Sequence, residues 1–382
     1  MKVAITLNTS WNIYNFRYTL VKQLLRQGHE VIAIAPKDKY TPKLIDIGCS
    51  FENVTMDSRG ASPIKDLGLI FELHNIYKRV KPDVILHYTI KPNIYGTMAA
   101  AKLGIPSINN ISGLGTIFLN DNLVSKIAMS LYRFSFKYPK KVFFQNEEDY
   151  RLFQHKNLVE KNACEVIPGS GIDLNHFIPT ENTDKQDEKP FTFLMISRLI
   201  IDKGIREYVE AARILREKGL QARFLLLGGL DEEHSRGIMQ KELDQWVEQK
   251  TITYLGRTDD VRPFISDADC VVLPSYREGT PRTLLEASAC AKPIVATDVP
   301  GCNNIVSHEI NGLLCEVKNT NDLSAKMQKM FNLSNETRTA MGVKGREIVE
   351  QRFDQSIVIK SYTRAIEKYQ PTPSGLKVAY AG

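Results

Sequence analysis

Apolar runs of strand length recur along this chain, and a stretch with helical spacing usually follows each one. In the first half the runs are KVAITLN (2–8), HEVIAIAP (29–36), DVILHYT (83–89), PSINNIS (106–112), KVFFQN (141–146) and CEVIPG (164–169). Helical stretches fall between them, among them FRYTLVKQLLRQG (16–28) and GTMAAAKLG (96–104). The second half repeats the alternation with FTFLMISRL (191–199), LLLGG (225–229), YLGRTDDV (254–261) and CVVLPS (270–275). A strand followed by a crossover helix returns to its sheet in the same direction, so the pattern calls for α/β architecture with parallel sheets.

With 382 residues there is room for two domains, each with its own core. The polar segment TENTDKQDEKP (180–190) is the natural linker between a first domain, 1–179, and a second, 191–353. The tail, 371–382, holds Pro, Ser and Gly with little periodicity and is expected to be loosely held. The six cysteines, at 49, 164, 270, 290, 302 and 315, form no CxxC pair, which argues against a disulfide or zinc framework and for a reduced, cytoplasmic setting. MKVAITLN leads straight into a strand, without a signal peptide, and no apolar run has the length of a membrane span.

Charge is shared unevenly. Residues 1–180 carry 22 Lys and Arg against 15 Asp and Glu, whereas the remainder carries 28 against 29. A basic first half suits an anionic membrane surface or a diphosphate-bearing partner. No helix-turn-helix, zinc-finger or RNP-like motif accompanies it, which sets nucleic acid aside.

In a parallel sheet, ligands sit at the carboxyl ends of the strands, and there this chain places its chemistry. CVVLPS runs into YREGTPRTLLEASAC, with Glu278 on the strand-to-helix loop and Glu286 about two turns into the helix; Thr280 is the expected N-cap and Pro281 the first helical residue. Gly279 lets a ligand approach the backbone at a helix amino end, a ready anion site. In SRLIIDKG (197–204), Arg198 and Lys203 occupy another such loop, two cations suited to a diphosphate leaving group. Gly228 and Gly229 end a third strand and Arg257 follows a fourth. Each piece alone is commonplace: two cations near a helix start, a glycine pair or a helical Glu are more often surface or turn features than sites.

Together, SRLIIDKG, the glycine pair, LGR and the two glutamates with seven residues between them resemble the donor domain of retaining glycosyltransferases of family 4, which have the GT-B fold. KPNIYGTMAAAKLGIP (91–106) and ISGLGTIF (111–118) resemble a bacterial branch of that family that builds surface polysaccharide or lipid-linked oligosaccharide. The resemblance implies two Rossmann-like domains facing across a cleft. The first, 1–179, would bind the acceptor, the second, 191–353, the nucleotide sugar, and a helix at 354–370 would cross back to the first domain. It implies transfer from a UDP-sugar, such as a UDP-N-acetylhexosamine, to a glycan or polyprenyl-diphosphate-linked saccharide, with retention and without a metal or cofactor.

Carried over residue by residue, Glu286 would accept from ribose hydroxyls, while Arg198, Lys203 and the amides after Glu278 would hold the diphosphate. Glu278, with the Gly279 and Thr280 backbone, would bind the donor sugar; Arg257 would lie near the base. On the acceptor side the candidates are Asn15, Lys91, Asn93, Gly113 and Gly115.

The chain also departs from the family. Its first loop, NTSWNIYNFR (8–17), lacks the glycine-rich pattern often found there and equally lacks the G-x-G-x-x-G of a nicotinamide or flavin enzyme. Asn8, Asn12 and Asn15 either contact a ligand or merely cap a helix. Asn109 and Asn110 stand near where many members carry a His, and His87 on an earlier strand reads as a packed residue. Asp267 and Asp269 precede a buried strand and read as the end of a helix-to-strand turn rather than a metal site. Residues 122–144 mix apolar side chains with Lys126, Arg133, Lys137, Lys140 and Lys141; this is either a helix covering the sheet or one that also rests on the cytoplasmic face of a membrane. Two rival functions remain at this level, a non-hydrolysing nucleotide-sugar epimerase and a sugar-nucleotide sensor.

Overall fold

A computed structural model describes residues 1–57, 63–113, 123–180, 189–232, 234 and 236–370. The linker residues 181–188, Gly115 and the tail from 371 lie outside the described residues.

Two parallel sheets carry the molecule. The first holds β1 (Lys2–Thr6), β2 (Glu30–Ala35), β3 (Ser50–Asn53), β4 (Val84–Tyr88), β5 (Ser107–Ile111), β6 (Lys141–Phe144) and β7 (Cys164–Val166) in the order β3-β2-β1-β4-β5-β6-β7. The second holds β8 (Phe191–Ile196), β9 (Ala222–Leu227), β10 (Thr253–Tyr254), β11 (Cys270–Leu273), β12 (Ile294–Thr297) and β13 (Gly312–Cys315) in the order β10-β9-β8-β11-β12-β13. Both orders reverse beside the first strand of the sheet, the doubly wound arrangement whose crevice opens between strands β1 and β4 and between β8 and β11.

The six strand runs read in the first half all appear. The edge strand β3 was not foreseen, because SFEN is short and half polar. Strands buried on both faces explain the continuous apolar runs, since helices cover each sheet on both sides. Phe193, Met195, Phe224 and Leu226 face one layer of the second lobe, and Leu194, Ile196, Leu225 and Leu227 face the other.

Helix boundaries differ from the sequence reading at two places. The first helix spans Ser10–Arg26, with Thr9 as N-cap accepting from the Asn12 amide at 3.0 Å. Asn12 and Asn15 therefore belong to a helix and not to a loop, and the capped-helix alternative describes this segment. The helix after β4 also starts early, as a π-turn over Pro92–Gly96 running into Thr97–Lys102.

The chain crosses between lobes twice, and the two crossings bind each other. Ile172 donates to Phe353 O at 2.8 Å and accepts from the Gln355 amide at 3.1 Å. The last helix, Gln355–Glu367, then lays Val358, Tyr362, Ala365 and Ile366 into the core of the first lobe. No helix among the described residues is long and apolar enough to cross a membrane.

Candidate active site

The reversal point of the second sheet gathers the charged candidates. After β8 the chain makes a short 3-10 turn, Ile201–Lys203, and after β11 it runs through 274–281 to the helix Arg282–Ala289. Lys203 Nζ and Glu278 Oε1 form an ion pair across these loops, and the Ser275 hydroxyl donates to the same carboxylate oxygen at 2.6 Å. Arg236 holds the turn from outside, with its Nε 2.9 Å from Asp202 Oδ2. Arg198 is exposed on the same loop and makes no ion pair among the described residues. Among the described residues the crevice thus offers a cation fixed by a carboxylate, that oriented carboxylate, and a cation without an ion pair.

Gly228 ends β9 directly beneath this loop, where a Cβ would stand 1.6 Å from Ser197 O. Only glycine lets the two strand ends approach so closely. Gly229 follows with Arg257 beside it, and Arg257 is exposed at the rim near Tyr40 and Asp259.

The loop carrying Glu278 is held by the other lobe. Asn146 Nδ2 donates to Gly279 O at 3.1 Å, and the Thr280 hydroxyl donates to Gln145 O at 3.0 Å. A Cβ on Gly279 would meet Ser112 O at 2.5 Å, and Gly113 packs against Gly279 from the first lobe. Arg277 reaches into that lobe to pair with Asp149, whose carboxylate is fully buried. Burial pushes the Asp149 carboxyl up, and Arg277 and Asn146 pull it back.

These contacts correct the expected cap. Thr280 spends its hydroxyl across the cleft, and Pro281 takes the N-cap position with extended backbone and its carbonyl accepting from the Leu284 amide at 3.1 Å. Glu286 consequently lies little more than one turn into the helix, not two. It is 8 % exposed and pairs with Arg282 Nε at 2.9 Å, one turn back on the same helix. Burial raises its carboxyl above the ordinary value, against the pull of Arg282. Arg282 in turn lies over the Phe16 ring of the first lobe, 5.4 Å from its centroid.

In the first lobe the candidates sit deeper than expected. Lys91 Nζ is 2.9 Å from Asp66 Oδ1, and both side chains are largely buried. Asn93 is 1 % exposed and donates to Asn110 O at 2.8 Å. Asn15 Nδ2 donates to Trp11 O at 2.9 Å within its own helix. His87 is fully buried, with Nε2 3.0 Å from the Tyr77 hydroxyl and Nδ1 3.2 Å from Asn109 Oδ1. Burial lowers its pKa to about 3, so it is a neutral packing residue. Asp267 pairs with Lys189, and Asp269 Oδ2 accepts from the Thr192 amide at 2.9 Å, which is the turn reading of that pair.

The sequence reading missed Ser275, Arg236 with Asp202, and Arg277 with Asp149. Arg277 stands next to Glu278, but its partner is 128 residues away, and nothing local in the sequence joins them.

Comparison with known proteins gives the family. The family model described as "Glycosyl transferases group 1" matches residues 180–348, and "Glycosyl transferase 4-like" matches residues 2–146. The chain is 31% identical over 383 residues to the N,N'-diacetylbacillosaminyl-diphospho-undecaprenol alpha-1,3-N-acetylgalactosaminyltransferase of Campylobacter jejuni, covering 96% of this chain and 99% of that one. It is 26% identical over 288 residues to the UDP-Gal:alpha-D-GlcNAc-diphosphoundecaprenol alpha-1,3-galactosyltransferase of Escherichia coli, covering 73% of each. Among solved structures, the Anabaena protein HepE in complex with UDP and glucose superposes with a TM-score of 0.78 at 17% identity, covering 96% of this chain and 100% of that one. The epimerase and sensor alternatives fall away with these matches. The chain belongs to the family 4-type, group 1 glycosyltransferases with the GT-B fold, and it is a hexosyltransferase.

Proposed function

We propose that the enzyme transfers an N-acetylhexosamine from its UDP-sugar, with retention, to a saccharide carried on polyprenyl diphosphate. The observation that carries this is the Lys203–Glu278 pair at the reversal point of the second sheet, with Arg198 exposed on the same loop, in a chain similar along its full length to a transferase named for a diphospho-undecaprenol acceptor. Lys203 and Arg198 hold the diphosphate, with the Gly279 and Thr280 amides, which make no hydrogen bond to a described residue, facing the same charge. Cations already in place stabilise the departing UDP without a metal or cofactor. Glu286 takes the ribose hydroxyls, Glu278 those of the donor sugar, and Arg257 lies by the base. The leaving phosphate accepts the acceptor's proton on the face it departs from, so the configuration is kept.

The acceptor reading extends to the membrane. The helix Leu123–Ser135 and the turn after it expose Ile127, Phe134 and Tyr138 beside the exposed cations Lys126, Arg133, Lys137 and Lys140. An apolar face ringed by cations is what settles on an anionic bilayer. We propose that this face rests on the cytoplasmic side of the membrane and presents the cleft to the lipid-linked acceptor.

A panel of nucleotide sugars screened by thermal shift identifies the donor, and transfer is then followed onto a synthetic prenyl-diphosphate saccharide, with the anomer assigned by NMR. UDP-N-acetylhexosamines giving the largest shift and an α-linked product support the reading. No stabilisation by any UDP-sugar, or an inverted product, overturns it. Sedimentation with vesicles containing phosphatidylglycerol tests the membrane face, and a protein left in the supernatant at low salt removes that part.

A further inference from the structure

Four polar groups in the first lobe are buried side by side and meet no protein partner in good hydrogen-bond geometry among the described residues, with the Tyr362 hydroxyl close to both Tyr88 and Asn110: Arg17 Nε, the Tyr88 and Tyr362 hydroxyls, and Asn110 Nδ2. Arg17 is 7 % exposed, and the other three are 1 % exposed. They converge from four elements. Arg17, on the inner face of the first helix, sets its guanidinium carbon 4.3 Å from the centroid of the Tyr88 ring. Tyr362 comes from the returning last helix, and its ring lies 5.9 Å from that of Tyr88. Tyr88 and Asn110 are register partners on the parallel strands β4 and β5, so their side chains leave the same face of the sheet. The phenol of Tyr362 is held well above its ordinary range by burial and by the Tyr88 hydroxyl beside it, with Arg17 and Asn110 near enough to pull it down.

The charge in this cluster is uncompensated. Arg17 donates through NH1 to Phe16 O at 3.0 Å, and no carboxylate pairs with it among the described residues. The face of Tyr88 offsets only part of the cost of burying a full positive charge, and buried polar groups ordinarily find partners. A guanidinium with three further polar groups beside it forms a receptor for an anion with several acceptor oxygens, and Arg is the side chain that suits phosphoryl oxygens best.

The cluster also lies on the acceptor side of the donor loop. Asn110 Oδ1 takes hydrogen bonds from Ser112 Oγ at 3.1 Å and Gln145 Nε2 at 3.3 Å. Ser112 and Gln145 are the residues that abut Gly279, next to Glu278. Phe16, adjacent to Arg17, faces Arg282 across the cleft.

We propose that Arg17, Tyr88, Tyr362 and Asn110 form an anion site that takes the diphosphate of the lipid-linked acceptor. This rests on the acceptor class proposed above and assigns it a place in the first lobe. The site holds the acceptor by its charged end while the saccharide reaches the donor loop.

The test is titration calorimetry on the whole chain with UDP saturating, using inorganic pyrophosphate and farnesyl diphosphate as separate probes. The expected result is saturable binding of both, tighter for the prenyl form, weakened about tenfold or more in Arg17→Met, where a charge-assisted contact is lost. Tyr362→Phe removes one donor without changing shape and should weaken both probes about threefold to tenfold, while UDP affinity is unchanged in either variant. Because an uncompensated cation is removed, Arg17→Met should melt no lower than the parent when no anion is added. The site is overturned if neither probe binds with UDP present, or if both variants bind the probes like the parent. Transfer onto a glycan without diphosphate would instead remove the acceptor reading and leave an Arg17-dependent anion site standing.

Discussion

The two lobes wind their sheets alike but fill the reversal point with opposite chemistry. In the first lobe the ends of β1 and β4 bury Thr6, Tyr77, His87, Asn109 and Thr97 in a chain of neutral hydrogen bonds. In the second lobe the loops after β8 and β11 carry charges instead: Lys203 pairs with Glu278, and Arg198 is exposed on the same loop as Lys203. The winding supplies a crevice in both cases, and the side chains decide what fills it: on the face of the first sheet that carries His87 it is packed with neutral groups. The loop 277–281 is where the halves meet, since its Glu278 serves the second lobe while Arg277, Gly279 and Thr280 fasten it to the first.

The largest effect is expected where that fastening is cut. Arg277→Ala leaves the Asp149 carboxylate buried without its cation, and breaking a buried pair from one side costs about 3–5 kcal/mol. Denaturant unfolding measures it, and adding Asp149→Asn should recover part of the loss. A variant as stable as the parent would mean that the lobes do not depend on this pair and that the loop belongs to the second lobe alone. Lys203→Ala should come close behind, lowering kcat by about a hundredfold to a thousandfold at saturating donor. A near-normal kcat would place the leaving-group charge elsewhere and erase the contrast drawn between the two reversal points.

The fold was legible in the sequence because parallel strands covered on both sides read as unbroken apolar runs, and each was followed by a helix. Lys203 and Glu278 were legible because both stand within a few residues of such a run, and strand ends are where a parallel sheet meets its ligand. What was not legible depends on contacts across the cleft. Thr280 has the right residue type for an N-cap, but Gln145 from the other lobe claims its hydroxyl. Asn93 and Lys91 end a strand as Lys203 does, yet Asn110 and Asp66 take them into the interior. Arg17 drew no notice in the sequence, since no local pattern shows that its face packs inward against Tyr88.

The neutral network of the first lobe has its own signature in pH. His87 has its folded pKa lowered to about 3 by burial, below the 6.5 of the unfolded chain. Its contribution to stability is therefore present above 6.5 and lost as pH falls from there toward 3, by at most about 1.4 kcal/mol per pH unit. His29, also lowered by burial, adds a slope of the same sign. Denaturant unfolding between pH 7 and pH 5 should show the decline, and His87→Gln should flatten it. An unchanged slope in that variant would mean that the first reversal point is not sealed against protons.

Arg198 gives the smallest effect and the cleanest view of the second reversal point. It is exposed and makes no ion pair among the described residues, so Arg198→Ala should leave the unliganded protein within about 0.5 kcal/mol of the parent. If it holds the diphosphate as proposed, the variant should nevertheless show it in binding, with UDP affinity falling about tenfold, or about 1.4 kcal/mol. The loss should shrink as salt is raised, because the contact is open to solvent and screened. Uridine, which has no phosphate, should bind the two proteins equally. If UDP and uridine respond alike, Arg198 is a surface charge, and the grip on the diphosphate falls to Lys203 and the loop amides alone.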